Sequence, residues 1–209
     1  MNKIVGGLFL TLEGGDGVGK STLQRSLNQR ISEAGLEVIM CRAPGGTILG
    51  EKLRDALLGS KKKEVDALAE LLVFLAARTQ LSTEIIKPAL ERGAVVICDR
   101  FADSSIAYQH YGRGIEKSII EDLNTIATTG LMPDRTILLD LDPSVGAKRK
   151  GQAQDYMEQE TIDFHNRVRY GYMYLASESP GRWLIVDALQ NEDVIFDLVW
   201  SDLAQRIKD

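Results

Sequence analysis

The stretch Leu8-Phe9-Leu10-Thr11-Leu12-Glu13-Gly14-Gly15-Asp16-Gly17-Val18-Gly19-Lys20-Ser21-Thr22 decides the fold. Its first part is a short apolar run of strand character, and its second matches the pattern G-x-x-x-x-G-K-[ST]. The glycines permit a tight turn that aims successive backbone N–H groups at phosphate oxygens. A helix expected from Lys20 onward adds the positive end of its dipole. The lysine of such a loop bridges the β- and γ-phosphates of a nucleoside triphosphate, and the hydroxyl after it is a ligand for Mg²⁺. Gly14, Gly15, Asp16, Gly17, Val18, Gly19, Lys20, Ser21 and Thr22 are therefore the candidate triphosphate-binding residues.

Outward from this loop, apolar runs alternate with helical patterns. Five runs, 8–12, 38–41, 94–98, 136–141 and 183–186, are apolar on both faces, as strands of a buried parallel sheet must be. Helices are expected over 20–35, about 65–90, 103–111, 116–128 and 158–177. A last one carries Ile195, Val199, Leu203 and Ile207 at a spacing of four. This alternation implies a doubly wound α/β domain with right-handed crossovers. With the glycine loop it predicts a P-loop NTPase-type three-layer sandwich around a five-stranded parallel sheet. The 209 residues fit one domain, 1–209. The stretch 148–155 is polar and broken by Gly151, and reads as a mobile surface loop.

Composition narrows the class. The formal charge is −5, from 25 basic and 30 acidic residues, which argues against a protein that coats nucleic acid. Two cysteines, Cys41 and Cys98, exclude a disulfide framework and fit a reducing cytoplasm. No run approaches the roughly 20 apolar residues of a membrane span. The apolar start, 3–10, lacks an A-x-A-like cleavage site and runs straight into the glycine loop, so it is not read as a leader. His110 and His165 are too scattered for a metal site.

The loop does not by itself choose the phosphoryl acceptor. No base-reading N-K-x-D follows a later strand, which speaks against a GTPase switch. Asp99-Arg100 closes an apolar run, at the strand end where open α/β sheets bind ligands. There Asp99 is a candidate Mg²⁺ ligand and Arg100 a candidate phosphate clamp; a helix-capping salt bridge is the plainer alternative. Phe74 and Arg78 stand at i, i+4, an aromatic plate one turn from a guanidinium, as a base with a phosphate attached requires. A core Phe beside a surface Arg reads equally from that spacing. Together these features favour a small-molecule kinase.

The chain resembles the thymidylate kinase family of the bacterial sort over nearly its whole length. Glu13 to Thr22 resembles that family's phosphate loop, and Arg42-Ala43-Pro44-Gly45-Gly46-Thr47 its R-E-P-G-G-T turn. Phe74-Leu75-Ala76-Ala77-Arg78 resembles its aromatic–arginine helix. Asp99-Arg100-Phe101-Ala102-Asp103-Ser104-Ser105-Ile106-Ala107-Tyr108-Gln109 is similar to its D-R-Y-x-D-S-S-x-A-Y-Q segment, and Gly130-Leu131-Met132-Pro133-Asp134 to its G-L-x-P-D. The resemblance implies transfer of a phosphoryl group from ATP, with Mg²⁺, to dTMP. It implies that Phe74 stacks on thymine, that Ser105 and Gln109 bond its edge, and that Tyr108 closes on the sugar. Asp16 would hold the 3′-hydroxyl and help position Mg²⁺. Arg54, Arg78 and Arg100 would hold the acceptor phosphate, with Pro44, in cis, shaping that pocket. Adenine would lie near 187–191, and a homodimer is implied, with Leu68, Leu72 and Leu75 as a candidate surface.

The chain departs from that pattern in three places. Ala43 stands where the family has Glu, and Gly17 occupies the loop position that carries an arginine in some members. Tyr156-Met157-Glu158 stands where others read Arg-x-Glu. The remaining cations on the lid, about 148–157, are Lys148, Arg149 and Lys150, and Arg149, with Lys150 as helper, is the expected source of transition-state charge. Arg167 and Arg169 read as packing and surface residues, with either a possible stand-in. Lys61-Lys62-Lys63 reads as a solvated run. Two other readings stand beside this one: a different deoxynucleotide or deoxynucleoside kinase of the same fold, and a nucleotide-binding protein with impaired turnover.

Overall fold

The computed structural model describes residues 4–59, 65–151 and 155–208. Lys3, the 61–63 lysine run and 152–154 of the expected surface loop lie outside them. Five strands form one parallel sheet in the order β2-β3-β1-β4-β5: β1 Leu8–Glu13, β2 Val38–Arg42, β3 Val95–Asp99, β4 Arg135–Asp140 and β5 Trp183–Asp187. The register pairs Leu10 with Ile97 and with Arg135, so β1 is central and all six of its residues are buried.

Strand alternation sorts the two faces. Leu8, Leu10 and Leu12 pack with Leu23, Leu27 and Ile31 of α1 (Lys20–Glu33) and with Val199 and Leu203 of α9 (Glu192–Lys208). Phe9, between them, faces the other way and packs with Leu81, Ile86, Ala89 and Phe101. Helix, sheet and helix make the three expected layers. The two edge strands differ from expectation. Met40 of β2 and Ile185 of β5 are each nearly half exposed, because an edge strand has a neighbour on one side only.

The helices show where periodicity misled. The long helix expected over about 65–90 is α3 (Ala67–Leu81), a π-helical turn (Ser82–Ile86) and α4 (Lys87–Glu91). The wider turn falls just before Pro88, which lacks the N–H that an α-helix needs there. A second π-helical turn, Ile106–Gly112, continues α5 (Ala102–Ser105), and α6 covers Lys117–Thr128. The helix expected from 158 begins later, as α8 (Ile162–Glu178), where Thr161 Oγ1 accepts from the Phe164 N–H at 3.2 Å. Two helices were not expected. In α2 (Ile48–Leu58), Thr47 caps the start by accepting from the Gly50 N–H at 2.9 Å. In α7 (Pro143–Lys150), Asp142 caps the start and Pro143 sits in the first turn. Helix α7 therefore takes 148–150 out of the expected surface loop. None of the described helices is long and apolar enough to cross a membrane.

Candidate active site

The glycine loop joins β1 to α1 at the carboxyl end of the sheet. At Gly17, φ is +72°, and a Cβ there would lie 2.3 Å from the Gly146 carbonyl oxygen of α7, so two backbones meet where no side chain fits. Lys20 is buried, and its Nζ donates to the carbonyls of Gly15, at 2.7 Å, and Gly14, at 3.2 Å. Burial, then the facing Arg100, pull its ammonium below the usual lysine range, against Asp99, Asp16 and Glu13.

Arg100 follows β3 directly and adopts φ 66°, a left-handed backbone that is rare for an arginine. Its guanidinium donates to Asp16 Oδ1 at 3.1 Å and to the Tyr172 hydroxyl at 3.0 Å, and it lies 5.0 Å from the Tyr108 ring centre. Burial alone would raise the Asp16 carboxyl, but Arg100, Lys20 and Lys150 outweigh it and hold it down at about 2. Beneath them sits Glu13, which accepts from the Phe101 N–H at 2.8 Å, Ser104 Oγ at 2.6 Å and the Tyr172 hydroxyl at 2.9 Å. Burial, then the neighbouring Asp103, raise its pKa. Glu13 thus anchors the peptide after Arg100 and, through Tyr172, the Arg100 side chain.

A cavity of about 430 Å³ opens beside the loop. Asp16, Gly17, Val18, Gly19, Lys20, Ser21 and Thr22 form its loop side. Pro44, Arg54, Phe74, Arg78, Asp99, Arg100, Ser105, Tyr108 and Gln109 are also in its wall, so the residues expected at the acceptor all meet there. Gly14 and Gly15 line an adjoining cleft of about 250 Å³. The Ala43–Pro44 peptide is cis, and the Pro44 carbonyl accepts from Arg54 Nη1 at 2.9 Å. Arg78 is not the surface arginine of the plainer reading. It is 3% exposed and donates to Asn124 Oδ1 at 2.7 Å, and burial lowers it to about 10 despite the pull of Glu13.

Among the described residues, Arg78 Nε, Asp99 Oδ1, Ser105 Oγ and the Tyr108 hydroxyl are buried without a hydrogen-bond partner. A buried polar group left so costs about 1–3 kcal/mol. Four of them around one cavity mark it as built for a polar ligand. A free carboxylate oxygen on Asp99 and the Ser21 hydroxyl, both at the cavity wall, are the hard oxygen donors that suit Mg²⁺. Among the described residues no group of three or more His, Cys, Asp or Glu side chains clusters as a metal cage.

The lid cations separate. Arg149, expected at the reacting phosphate, instead donates to the Ala188 carbonyl at 2.9 Å and lines a different cavity, of about 620 Å³, with Gly17, Thr22, Gln190 and Asn191. Lys150 lines the acceptor cavity, 3.9 Å from Asp16 Oδ1, and is ion-paired with Glu158. Successive residues of a helix emerge about 100° apart, so one cation faces each side of the loop. Arg167 and Arg169 are both bonded to other groups of the chain. Arg167 bonds the Tyr111 and Gly112 carbonyls, and Arg169 bonds Asp140 through two nitrogens, at 2.7 and 2.8 Å. Tyr156 is buried, and its hydroxyl donates to Glu70 at 2.6 Å.

Three site-supporting residues went unread in the sequence: Glu13 as an anchor, Tyr172 and Glu70. Tyr172 reads as one of a row of core residues in α8. Glu70 carries the plainer signal, a lone carboxylate inside the apolar run Ala67 to Ala77.

This geometry agrees with what the chain is similar to. The Thymidylate kinase family model matches residues 12–199. A thymidylate kinase of Solidesulfovibrio magneticus is 43% identical over 203 residues, 93% of this chain and 97% of the relative. One from Deinococcus radiodurans is 44% identical over 203 residues, 96% of this chain and 98% of the relative. The crystal structure of thymidylate kinase from Ehrlichia chaffeensis superposes with a TM-score of 0.79 at 34% identity, covering 94% of this chain and 98% of that one. Loop, acceptor cavity, sheet order and near full-length identity lead to one conclusion: the chain belongs to the thymidylate kinase family.

Proposed function

We propose that this chain transfers the terminal phosphoryl group of ATP to the phosphate of dTMP, giving dTDP and ADP, as a single domain over 1–209. The observation that carries the reading is one cavity shared by the phosphate loop and the Phe74–Arg78 face. An oxygen of the acceptor phosphate attacks the terminal phosphorus of ATP, and the bond to the bridging oxygen breaks. That oxygen is already anionic, so no strong general base is needed; the demands are alignment and neutralised charge. The loop N–H groups and Lys20 hold the donor phosphates, while Arg54, Arg78 and Arg100 hold the acceptor phosphate. Asp16 takes the 3′-hydroxyl and fixes Arg100. Phe74 stacks on the base, Ser105 and Gln109 meet its edge, Tyr108 closes on the sugar, and Pro44 shapes the wall. Ser21 and Asp99 are the residues to hold Mg²⁺, which when bound neutralises charge on the donor phosphates. Lys150, with its lid over about 148–157, takes over the transition-state role first expected of Arg149. Its position 3.9 Å from Asp16 supports this.

The protein is read as a cytoplasmic homodimer. The test of function is an ADP-release assay with Mg-ATP and dTMP, thymidine, dUMP or dCMP as acceptor. Turnover on dTMP above the other three is the expected result. Preference for thymidine would make it a deoxynucleoside kinase, and tight dTMP binding with no dTDP formed would make it a binding protein.

A further inference from the structure

Glu70 is a carboxylate 1% exposed in the middle of α3, and its surroundings are all donors. Oε1 accepts from Gln109 Nε2 at 2.9 Å and Arg113 Nε at 3.3 Å. Oε2 accepts from Arg113 Nη2 at 3.1 Å and the Tyr156 hydroxyl at 2.6 Å. Arg113 is itself tied down by Glu160 at 2.6 Å and stacks 4.8 Å from the Phe164 ring centre. Nothing in the transfer chemistry uses this group, yet one of its partners, Gln109, lines the acceptor cavity.

An ionised carboxylate accepts hydrogen bonds and donates none, so it settles which end of the Gln109 amide faces it. The NH₂ end turns to Glu70, and the carbonyl oxygen is left for the ligand. We propose that Glu70 is a positioning residue that sets base selectivity, by fixing the Gln109 amide with its acceptor end toward the nucleobase. This rests on the reading that Gln109 meets the base edge. An acceptor there pairs with the N3–H of thymine and opposes cytosine, whose N3 is itself an acceptor. A site built to hydrogen-bond one partner strongly rejects the analogue that leaves its polar group unpaired. Arg113 and Tyr156 complete the clamp, since Arg113 bonds both oxygens of Glu70 and Tyr156 one of them, which holds the carboxylate in one orientation. Tyr156 thereby becomes part of the base-reading scaffold.

The test compares kcat and KM for dTMP and dCMP in wild type, Glu70→Gln and Gln109→Ala. Glu70→Gln swaps an acceptor-only group for one that also donates, so Gln109 can present either end. The dTMP:dCMP ratio of kcat/KM should narrow at least tenfold, with the dCMP value itself unchanged or raised. An equal fall on both substrates is what a purely structural role produces, and it overturns the proposal. Gln109→Ala separates the layers. If it leaves the dTMP value unchanged, the placement of Gln109 at the base fails and the inference with it. If it narrows the ratio while Glu70→Gln does not, only the role of Glu70 falls. Should Glu70→Gln not fold, Glu70→Gln with Arg113→Gln and Glu160→Gln is read in its place by the same ratio, because removing the whole charge group costs less than stranding one member of it.

Discussion

Asp16 is where the strain and the charge of the site meet. Arg100 sits at φ 66°, and a left-handed backbone at such a residue costs on the order of 1–3 kcal/mol. Its N–H to Leu12 O at 3.0 Å, and its side-chain bonds to Asp16 and Tyr172, hold it there. Asp16 is in turn held down at about 2 rather than 3.8. A carboxylate depressed in this way contributes stability that is present above 3.8 and is lost as pH falls to about 2. Glu13, raised by burial, has the opposite sign but is common to wild type and variant, so it cancels in their difference. Asp16→Asn should therefore be less stable than wild type at about pH 4.5, and that gap should narrow to roughly a third by about pH 2.5. Urea unfolding midpoints at the two pH values measure it. A gap of equal size at both would show that Asp16 contributes nothing through its charge.

At the scale of elements, α7 sets which way each lid cation points, and on the proposed reading Lys150 is the one at the reacting phosphate. The rotation of α7 sends Arg149 to the Ala188 carbonyl and Lys150 toward Asp16. Lys150→Ala should lower kcat about a hundredfold or more with a small change in KM for dTMP, the signature of charge stabilisation made in the transition state. Arg149→Ala should mainly raise KM for ATP. The reverse pattern in steady-state kinetics would return the role to Arg149. Helix α7 went unread, because periodicity was the wrong signal for it. Its apolar face is too slight, but Asp142-Pro143 is a cap with a proline in the first turn, and Gly151 follows the last turn with φ 82°. Helix α2 went unread for a similar reason, having Thr47 as its clearest mark. The strands were legible because a buried parallel sheet leaves continuous apolar runs, and the cavity residues because they lie in contiguous motifs. Glu70, Tyr172 and Glu13 act across separations of 39 to 159 residues, and no local pattern encodes such a pairing.

The whole molecule carries −5, yet one cleft gathers Lys20, Arg42, Arg54, Arg78, Arg100 and Lys150 against Asp16, Asp99, Asp155 and Glu158. Acidic residues elsewhere keep the average negative, so net charge describes the outer surface and not the site. One part of that surface is not acidic. Of the three leucines on α3 offered as a contact surface, Leu75 is 5% exposed and belongs to the core, whereas Leu68 and Leu72 are 48% and 49% exposed. Ile48 and Leu49 of the adjoining α2, and Ile119 and Ile126 of α6, extend this apolar exposure around α3. Exposed apolar side chains on neighbouring helices suit a contact between chains, and a homodimer through α3 would cover them. Leu72 is the residue to change, because a half-exposed position accepts a charge within about 0.5 kcal/mol when nothing covers it. Wild type should sediment at twice the 23.1 kDa of one chain, and Leu72→Lys at that of a single chain. A wild type that sediments as one chain, or a Leu72→Lys variant that stays paired, would place the contact elsewhere or remove it. If the pair does form through α3, the helix that carries Glu70, Phe74 and Arg78 on its inner side would carry the dimer contact on its outer side. Separation of the chains should then also raise KM for dTMP in the same Leu72→Lys preparation.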